Sequence, residues 1–269
     1  MDVRMMEPLT VCTPTYNSAD CVERALDSVT DIADEIVVLD SDSTDGTREI
    51  VRDYDSVALY DYEFEGFAHM FRTAATKASN DWVLYVDADE EVREPMASEI
   101  RRKLTDPTKD AYETFKRNRM WGRWMHAKHK KRPILARVEA LSWDDAIVGE
   151  EWRVRDGYDV GELEHPIHHY AYDSVDEYIT KWMGYTAADA LDEYESGRSS
   201  SLLYFYLKGA AAFNYRYFYE RSVLDGWQGL FFSVMSAVFY PVVDARLRRI
   251  QKLQKERDDW REWWIENKC

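Results

Sequence analysis

The chain has 269 residues, enough for one large domain or one and a half with a substantial buried core. Its formal net charge of -16 excludes a protein that binds nucleic acid through its bulk surface. Acidic residues run along the whole chain and Arg outnumbers Lys, a composition suited to a high-salt cytosol that screens self-repulsion. The opening MDVRMMEPLTVCTPTYN has no apolar core long enough for a signal peptide. Cys12, Cys21 and Cys269 show no metal spacing and fit a reducing compartment, so a cytoplasmic location is expected.

In chain order, PLTVCTPTY predicts a strand and turn, and CVERALDSVTDI an amphipathic helix. EIVVLD is a β-branched strand, SVALYDY another, GFAHMFRTAATKASN a helix, and DWVLYVDADEE a buried strand that ends on acids. This βαβ alternation predicts an α/β fold with a mostly parallel, three-layer sheet. After Pro107 the pattern becomes irregular and rich in Trp, Arg and His, and from Val175 it turns helical.

The stretch DSDSTDGT resembles a calcium loop but fails in either register. Starting at Asp40 puts Asp45 where Gly is needed; starting at Ser41 makes the early ligands serines and the twelfth residue Arg52. A strand before it and a capped helix, STDGTREIVRDY, after it make it a strand–turn–helix junction. In an open α/β sheet that is where ligands bind; a capped turn without a ligand is the plainer alternative.

In DWVLYVDADEE, Asp87 and Asp89 can project the same way if the strand's period of two continues through them. Two close carboxylates repel unless a cation lies near. A hard divalent ion with oxygen ligands, Mg²⁺ or Mn²⁺, shared with substrate phosphates, explains the pair; a solvated acidic loop is the alternative.

Toward the C-terminus, GWQGLFFSVMSAVFYPVV (226–243) carries no charge and is barely long enough to span a bilayer. Next to it stand Arg246, Arg248, Arg249, Lys252 and Lys255, and further on Trp260, Trp263 and Trp264. A basic cluster beside an apolar helix suits an anionic membrane surface, and the tail tryptophans suit interfacial depth; a core helix followed by a solvated one is the alternative. Trp121, Trp124, Trp143 and Trp152 can face sugar rings or pack in the core.

TPTYN, VVLDSDSTDGT and DWVLYVDADEE together resemble the nucleotide-sugar-binding half of family 2 glycosyltransferases, which adopt the GT-A fold. GFAHMFRTAATKASNDWVLYVDADEEV, the HY of PIHHYAYDS and RSVLDGWQGLFF resemble the branch typified by the lipopolysaccharide-core glucosyltransferases. The resemblance implies a GT-A catalytic domain over 7–175, with a nucleotide-sugar half to about 105 and an acceptor half from about 106. A helical, membrane-surface-associated extension would follow over 176–269.

It implies an inverting, metal-dependent enzyme moving a hexose from a UDP or GDP sugar to a lipid-linked or envelope glycan at the inner face of the cell membrane. Thr13, Thr15, Asp40 and Asp42 would serve the nucleoside, with Asp40 accepting a hydrogen bond from the base. Arg72 would lie beside the base or diphosphate, Asp87 would contact ribose or metal, and Asp89 would ligate the metal. The branch's catalytic base is the Glu of a VHE element. AIVGEEW puts Glu150 there with Gly149 in place of the His, Glu151 next in register and Asp145 after it. His169 aligns with the branch's HY. It or its neighbour His168 can complete the metal shell, orient a phosphate, or be structural. Two other classes remain: a nucleotidyltransferase, although TPTYNSAD lacks a Gly-rich basic phosphate loop, and a non-catalytic binding module on a transferase domain.

Overall fold

Consecutive side chains are buried along most of the first strands, as a sheet covered on both faces requires. The computed structural model describes residues 5–127, 130–143, 153–257, 259, 261 and 264. Strands β1 (Leu9–Thr15), β2 (Glu35–Asp40), β3 (Val57–Asp61) and β4 (Trp82–Tyr85) run parallel in the order β3-β2-β1-β4. Helices α1 (Val22–Asp27), α2 (Thr47–Arg52) and α3 (Phe67–Lys77) make the crossovers. A two-residue strand, β5 (Glu90–Glu91), and helix α4 (Glu94–Thr105) follow.

Leu9, Val11, Ile36, Val38, Trp82 and Leu84 join one core with Val22 and Leu26 of α1 and Met96, Ile100 and Leu104 of α4. Their immediate neighbours Cys12, Val37, Leu39, Val83 and Tyr85 join another with Met70, Phe71 and Ala74 of α3. Each large side chain so buried contributes about 1.5–3 kcal/mol. The result is the expected three-layer α/β fold.

The stretch that looked irregular after Pro107 is also largely strand: β6 (Ala111–Thr114), β7 (Lys116–Met120), β8 (Arg123–Trp124) and β9 (Arg132–Arg137), then β10 (Leu141–Ser142), β11 (Arg153–Val154), β12 (Val160–Glu162) and β13 (Ile167–Tyr172). β9 runs antiparallel to β4 and β6, extending the main sheet to seven strands in the order β12-β6-β9-β4-β1-β2-β3. Runs such as KRNRM carry too little apolar alternation to announce a strand; pairing to a neighbour already in place makes them one. β13 pairs antiparallel with β5, setting His168 opposite Glu91 and His169 opposite Glu90.

The chain divides into two compact units, Met1–Asn118 with His129–Tyr170, and Arg119–Lys128 with Ala171–Cys269. The boundary drawn at 175 from the sequence therefore falls at 170, and a piece of the middle third belongs with the C-terminal helices.

Those helices are α5 (Val175–Glu195), α6 (Leu202–Asn214) and α7 (Gly226–Glu256), with a π-helical turn at Tyr215–Tyr219. Ser174 caps α5 by accepting from the Glu177 N–H, and Ser201 caps α6 by accepting from that of Tyr204. The apolar run and the basic cluster are one continuous helix. The apolar half buries Gln228, Gly229 and Ser233 and exposes Trp227, Leu230, Val234 and Val238. The basic half buries Val243, Leu247, Ile250 and Leu253. Trp264 packs into that helical core with Phe205 and Leu247, which corrects its assignment to a membrane interface; Trp260 and Trp263 lie outside the described residues.

Pro241 sits inside α7 and has no N–H, so the Ala237 carbonyl four residues back lacks its helical donor. Gly209 of α6 faces that carbonyl so closely that a Cβ on it would stand 2.3 Å from the oxygen. Gly209→Ala should therefore destabilise the helical unit by about 1–3 kcal/mol despite alanine's better helix propensity, read as a lowered melting temperature. An unchanged or raised melting temperature would show that α6 can move away.

Candidate active site

At the carboxyl ends of β1 and β2, Thr15 lies beside Asp40 in the parallel register. Asp40 is fully buried, and its carboxylate accepts four hydrogen bonds. Thr15 Oγ1 donates at 2.8 Å and Ser43 Oγ at 2.6 Å to one oxygen; the Ser43 N–H at 3.0 Å and Arg48 at 3.1 Å donate to the other. Arg48 also pairs with Asp61 of β3. The DSDSTDGT turn is thus folded around the Asp40 carboxylate. Asp45 adds an Asx turn onto Thr47 and accepts from the Ala19 N–H, joining this turn to the one after β1. Asp42 stands exposed on the turn with φ 64°, a left-handed conformation that Asp tolerates. Thr13 Oγ1 is buried without a hydrogen-bond partner, and Arg72 is exposed on α3.

β4 ends at Tyr85, so Asp87 and Asp89 lie in a turn, closed by the Glu90 N–H donating to the Asp87 carbonyl at 2.9 Å. Strand alternation stops there, and the two carboxylates take different partners. Asp87 Oδ2 accepts from Lys116 of β7 at 2.9 Å and lies 3.5 Å from Arg132 of β9. The same two cations reach the fully buried Glu90, at 2.5 and 2.9 Å, whose second oxygen accepts from the Asp87 N–H. Burial by itself would raise the Asp87 pKa, but Lys116 and then Arg132 outweigh it and hold the carboxyl well below its usual range. The cation that neutralises Asp87 is thus supplied by the chain's own side chains.

Asp89 Oδ2 lies 3.2 Å from His169 Nε2, with side-chain exposures of 33% and 20%. The other imidazole nitrogen lies 2.9 Å from Asn118 Oδ1, and the Asp89 carbonyl accepts from the Tyr170 N–H at 2.9 Å. The imidazole is thereby oriented from behind, and the Asp89 backbone is held against β13. Adjacent ligands on an octahedral Mg²⁺ at about 2.1 Å lie about 3 Å apart, so the spacing of this pair fits a hard divalent ion. Among the described residues no cluster of three or more His, Cys, Asp or Glu forms a metal site. The remaining ligands would be phosphate oxygens and water, the usual manner for Mg²⁺ at a nucleotide. His168 points elsewhere in chemistry: burial first, then Arg93, pushes its pKa down to about 4. It is a neutral, structural imidazole at neutral pH.

Glu150, Glu151 and Asp145 lie outside the described residues, as does Trp152. Trp121 stacks flat on Trp227 at 5.0 Å in the helical unit, and Trp143 meets the Tyr85 ring edge-on; both are packing residues. Lys116, Arg132, Glu90, Arg48 and Asn118 were not singled out from the sequence. The one legible signal was electrostatic: an acidic strand end needs cations, and KRNRM and KRP are dense with them.

Comparison with known proteins adds three findings. The family model for glycosyl transferase family 2 matches residues 10–158. An uncharacterized glycosyltransferase of Rickettsia bellii is 26% identical over 255 residues, covering 90% of this chain and 84% of the relative; one of Rickettsia felis is 26% identical over 93% and 90%. Among solved structures, residues 1–349 of S. aureus TarS in complex with UDP align at TM-score 0.48 and 18% identity, over 65% of this chain and 63% of that one. The chain spans about six tenths of the length of such TarS segments.

The Asp87–Glu90–Lys116–Arg132 cluster yields a stability test. Lys116→Met leaves the buried Glu90 with one cation instead of two and should cost about 3 kcal/mol in chemical denaturation. Adding Glu90→Gln to that variant should recover part of the loss. Additive penalties would mean the two groups are not coupled.

Proposed function

We propose, since the chain belongs to glycosyl transferase family 2, that it transfers a hexose from a UDP or GDP sugar to a lipid-linked or cell-envelope glycan, with inversion at the anomeric carbon. What supports this most is the Asp89–His169 pair, partly exposed and oriented by Asn118, just past the carboxyl end of β4. Asp89 and His169 would hold Mg²⁺ or Mn²⁺, which when bound supplies positive charge to the departing diphosphate. Thr13 and Thr15 of β1 and Asp42, on the turn organised by Asp40, would form the nucleoside side with Arg72. Asp40, expected to accept from the base, is instead fully buried with four donors of the chain's own and acts from within, by fixing the turn. Asp87, neutralised by Lys116 and Arg132, holds the strand end next to Asp89.

Glu150 takes the proton of the acceptor hydroxyl as its oxygen bonds the anomeric carbon and the bond from that carbon to the diphosphate oxygen breaks. Glu151 and then Asp145 are the other candidates for that proton. The nucleoside diphosphate leaves with the bonding electron pair.

The helical unit is proposed to lie on the cytoplasmic face of an anionic membrane. Leu203 and Leu207 of α6 are 71% and 61% exposed, Tyr219 76%, and Trp227 of α7 59%. Apolar side chains this exposed and this numerous suit a lipid surface. Residues Ser222–Glu256 are also long and apolar enough to cross a membrane, and little of their apolar window is buried.

Three outcomes test these assignments. Asp89→Asn should lower transfer more than about 100-fold with the melting temperature unchanged, and EDTA should inactivate the wild type reversibly. Full activity in either case removes the metal from the mechanism. Glu150→Gln should lower turnover by about 10²–10⁴ with donor affinity kept; an active Glu150→Gln beside a dead Glu151→Gln moves the base by one residue. The double variant Leu203→Glu/Leu207→Glu should stop the protein from sedimenting with anionic vesicles, while high salt releases the wild type only in part. Wild type that stays in the supernatant refutes the membrane assignment.

A further inference from the structure

The helical unit contains a cavity of about 360 Å³, at the small end of ligand pockets. Its wall is dominated by aromatic rings: Tyr178, Trp182 and Tyr185 from α5, and Phe232, Phe239 and Tyr240 from α7. Edge-to-face contacts fix their planes, with Tyr178 against Phe232 at 6.0 Å and Trp182 against Phe239 at 6.0 Å. Three polar groups interrupt this wall: Asp189 on α5, Arg216 on the π-helical turn and Ser236 on α7. Arg216 lies 4.5 Å over the Phe232 ring and pairs with Glu220 at 3.3 Å, which leaves its fork only partly used. Ser236 donates to the Phe232 carbonyl, so its oxygen remains an acceptor. Burial, reinforced by Asp192, raises the Asp189 pKa, with Lys208 opposing.

The combination selects among ligand classes. A hydrocarbon chain would strip water from Asp189 and Arg216 and return no hydrogen bond. A cation would gain from the rings and Asp189 but meet Arg216; an anion would meet Asp189. A sugar ring has both characters: an apolar C–H face that lies on aromatic rings, and a rim of hydroxyls that donate to a carboxylate and accept from a guanidinium. We propose that this cavity binds a neutral pyranose, through its ring faces and through Asp189, Arg216 and Ser236.

The site lies on a different face of α7 from the exposed apolar residues. On α7, Phe232, Ser236 and Phe239 line the cavity, whereas Leu230 and Val234 are among the exposed residues. Positions two apart on a helix are about 200° apart around its axis, so the two sets occupy different faces. That the bound pyranose is a unit of the acceptor glycan rests on the transferase function proposed above; the binding itself does not.

The test is titration of the full-length protein with a panel of neutral methyl hexopyranosides, followed by calorimetry and saturation-transfer NMR. At least one glycoside should bind, and Asp189→Asn and Tyr185→Ala should each weaken it by about tenfold or more. Tyr185 is 56% exposed, so its truncation spares the fold. No binding by any glycoside, binding that survives both substitutions, or tighter binding of octanol or tetramethylammonium overturns the proposal. Donor hydrolysis measured on the same wild-type sample separates the two proposals. Sugar binding without hydrolysis supports the cavity and counts against the transferase; hydrolysis without sugar binding counts against the cavity alone.

Discussion

A carboxylate that closes a buried strand must be neutralised where it stands, and the first unit is organised around that requirement. Asp40 is fully buried at the end of β2 and carries donors from Thr15, Ser43 and Arg48. Glu90 is fully buried after β4 and shares Lys116 and Arg132 with Asp87. An uncompensated charge at either place would cost several kcal/mol, comparable to the margin by which a domain is stable. The turns after β2 and β4 are therefore held by their own carboxylates, and β7 and β9 are tied to the strand end by the cations they carry.

This arrangement separates groups committed to the fold from groups left for a ligand. Asp40 and Glu90 have no accessible surface. Asp89 and His169 have partners behind them, in the Tyr170 N–H and Asn118, and exposure in front. The pair is partly pre-organised: Asn118 sets the His169 ring and the Asp89 backbone is fixed before anything binds, so less ordering entropy is lost on binding. Committed acids beside poised ones give the sheet's carboxyl edge a fixed shape and a small, defined set of accessible ligand atoms.

The second unit reverses the usual burial rule along the first half of α7. Gln228, Gly229 and Ser233 are inside, and Trp227, Leu230 and Val234 are outside. Close backbone approach explains the inside: a Cβ on Gly229 would stand 1.9 Å from the Ser222 carbonyl oxygen, as one on Gly209 would meet that of Ala237. Where backbones touch, large side chains have no room and must point outward. Farther along, Val243, Leu247, Ile250 and Leu253 restore the ordinary pattern, with charge outside. A single helix thus carries two different surfaces.

The parallel core and its three layers were legible in the sequence, because EIVVLD and DWVLYVD are short, nearly continuous apolar runs of the kind a doubly covered sheet buries, separated by helical stretches, and the signal is local. So was the position of the acidic strand ends, and the family resemblance that their motifs carry. Tertiary structure alone decided how those acids are used. Asp87 and Asp89 diverge because β4 stops at Tyr85, and their partners Lys116, Arg132 and His169 lie 29 to 80 residues away in the chain. It also decided that KRNRM is a strand, that Trp121 packs on Trp227 rather than on a sugar, and that Trp264 belongs to a core. Periodicity reports the face a residue shows to its own element; which charge or ring meets it there depends on pairing across long loops, and no local pattern encodes that.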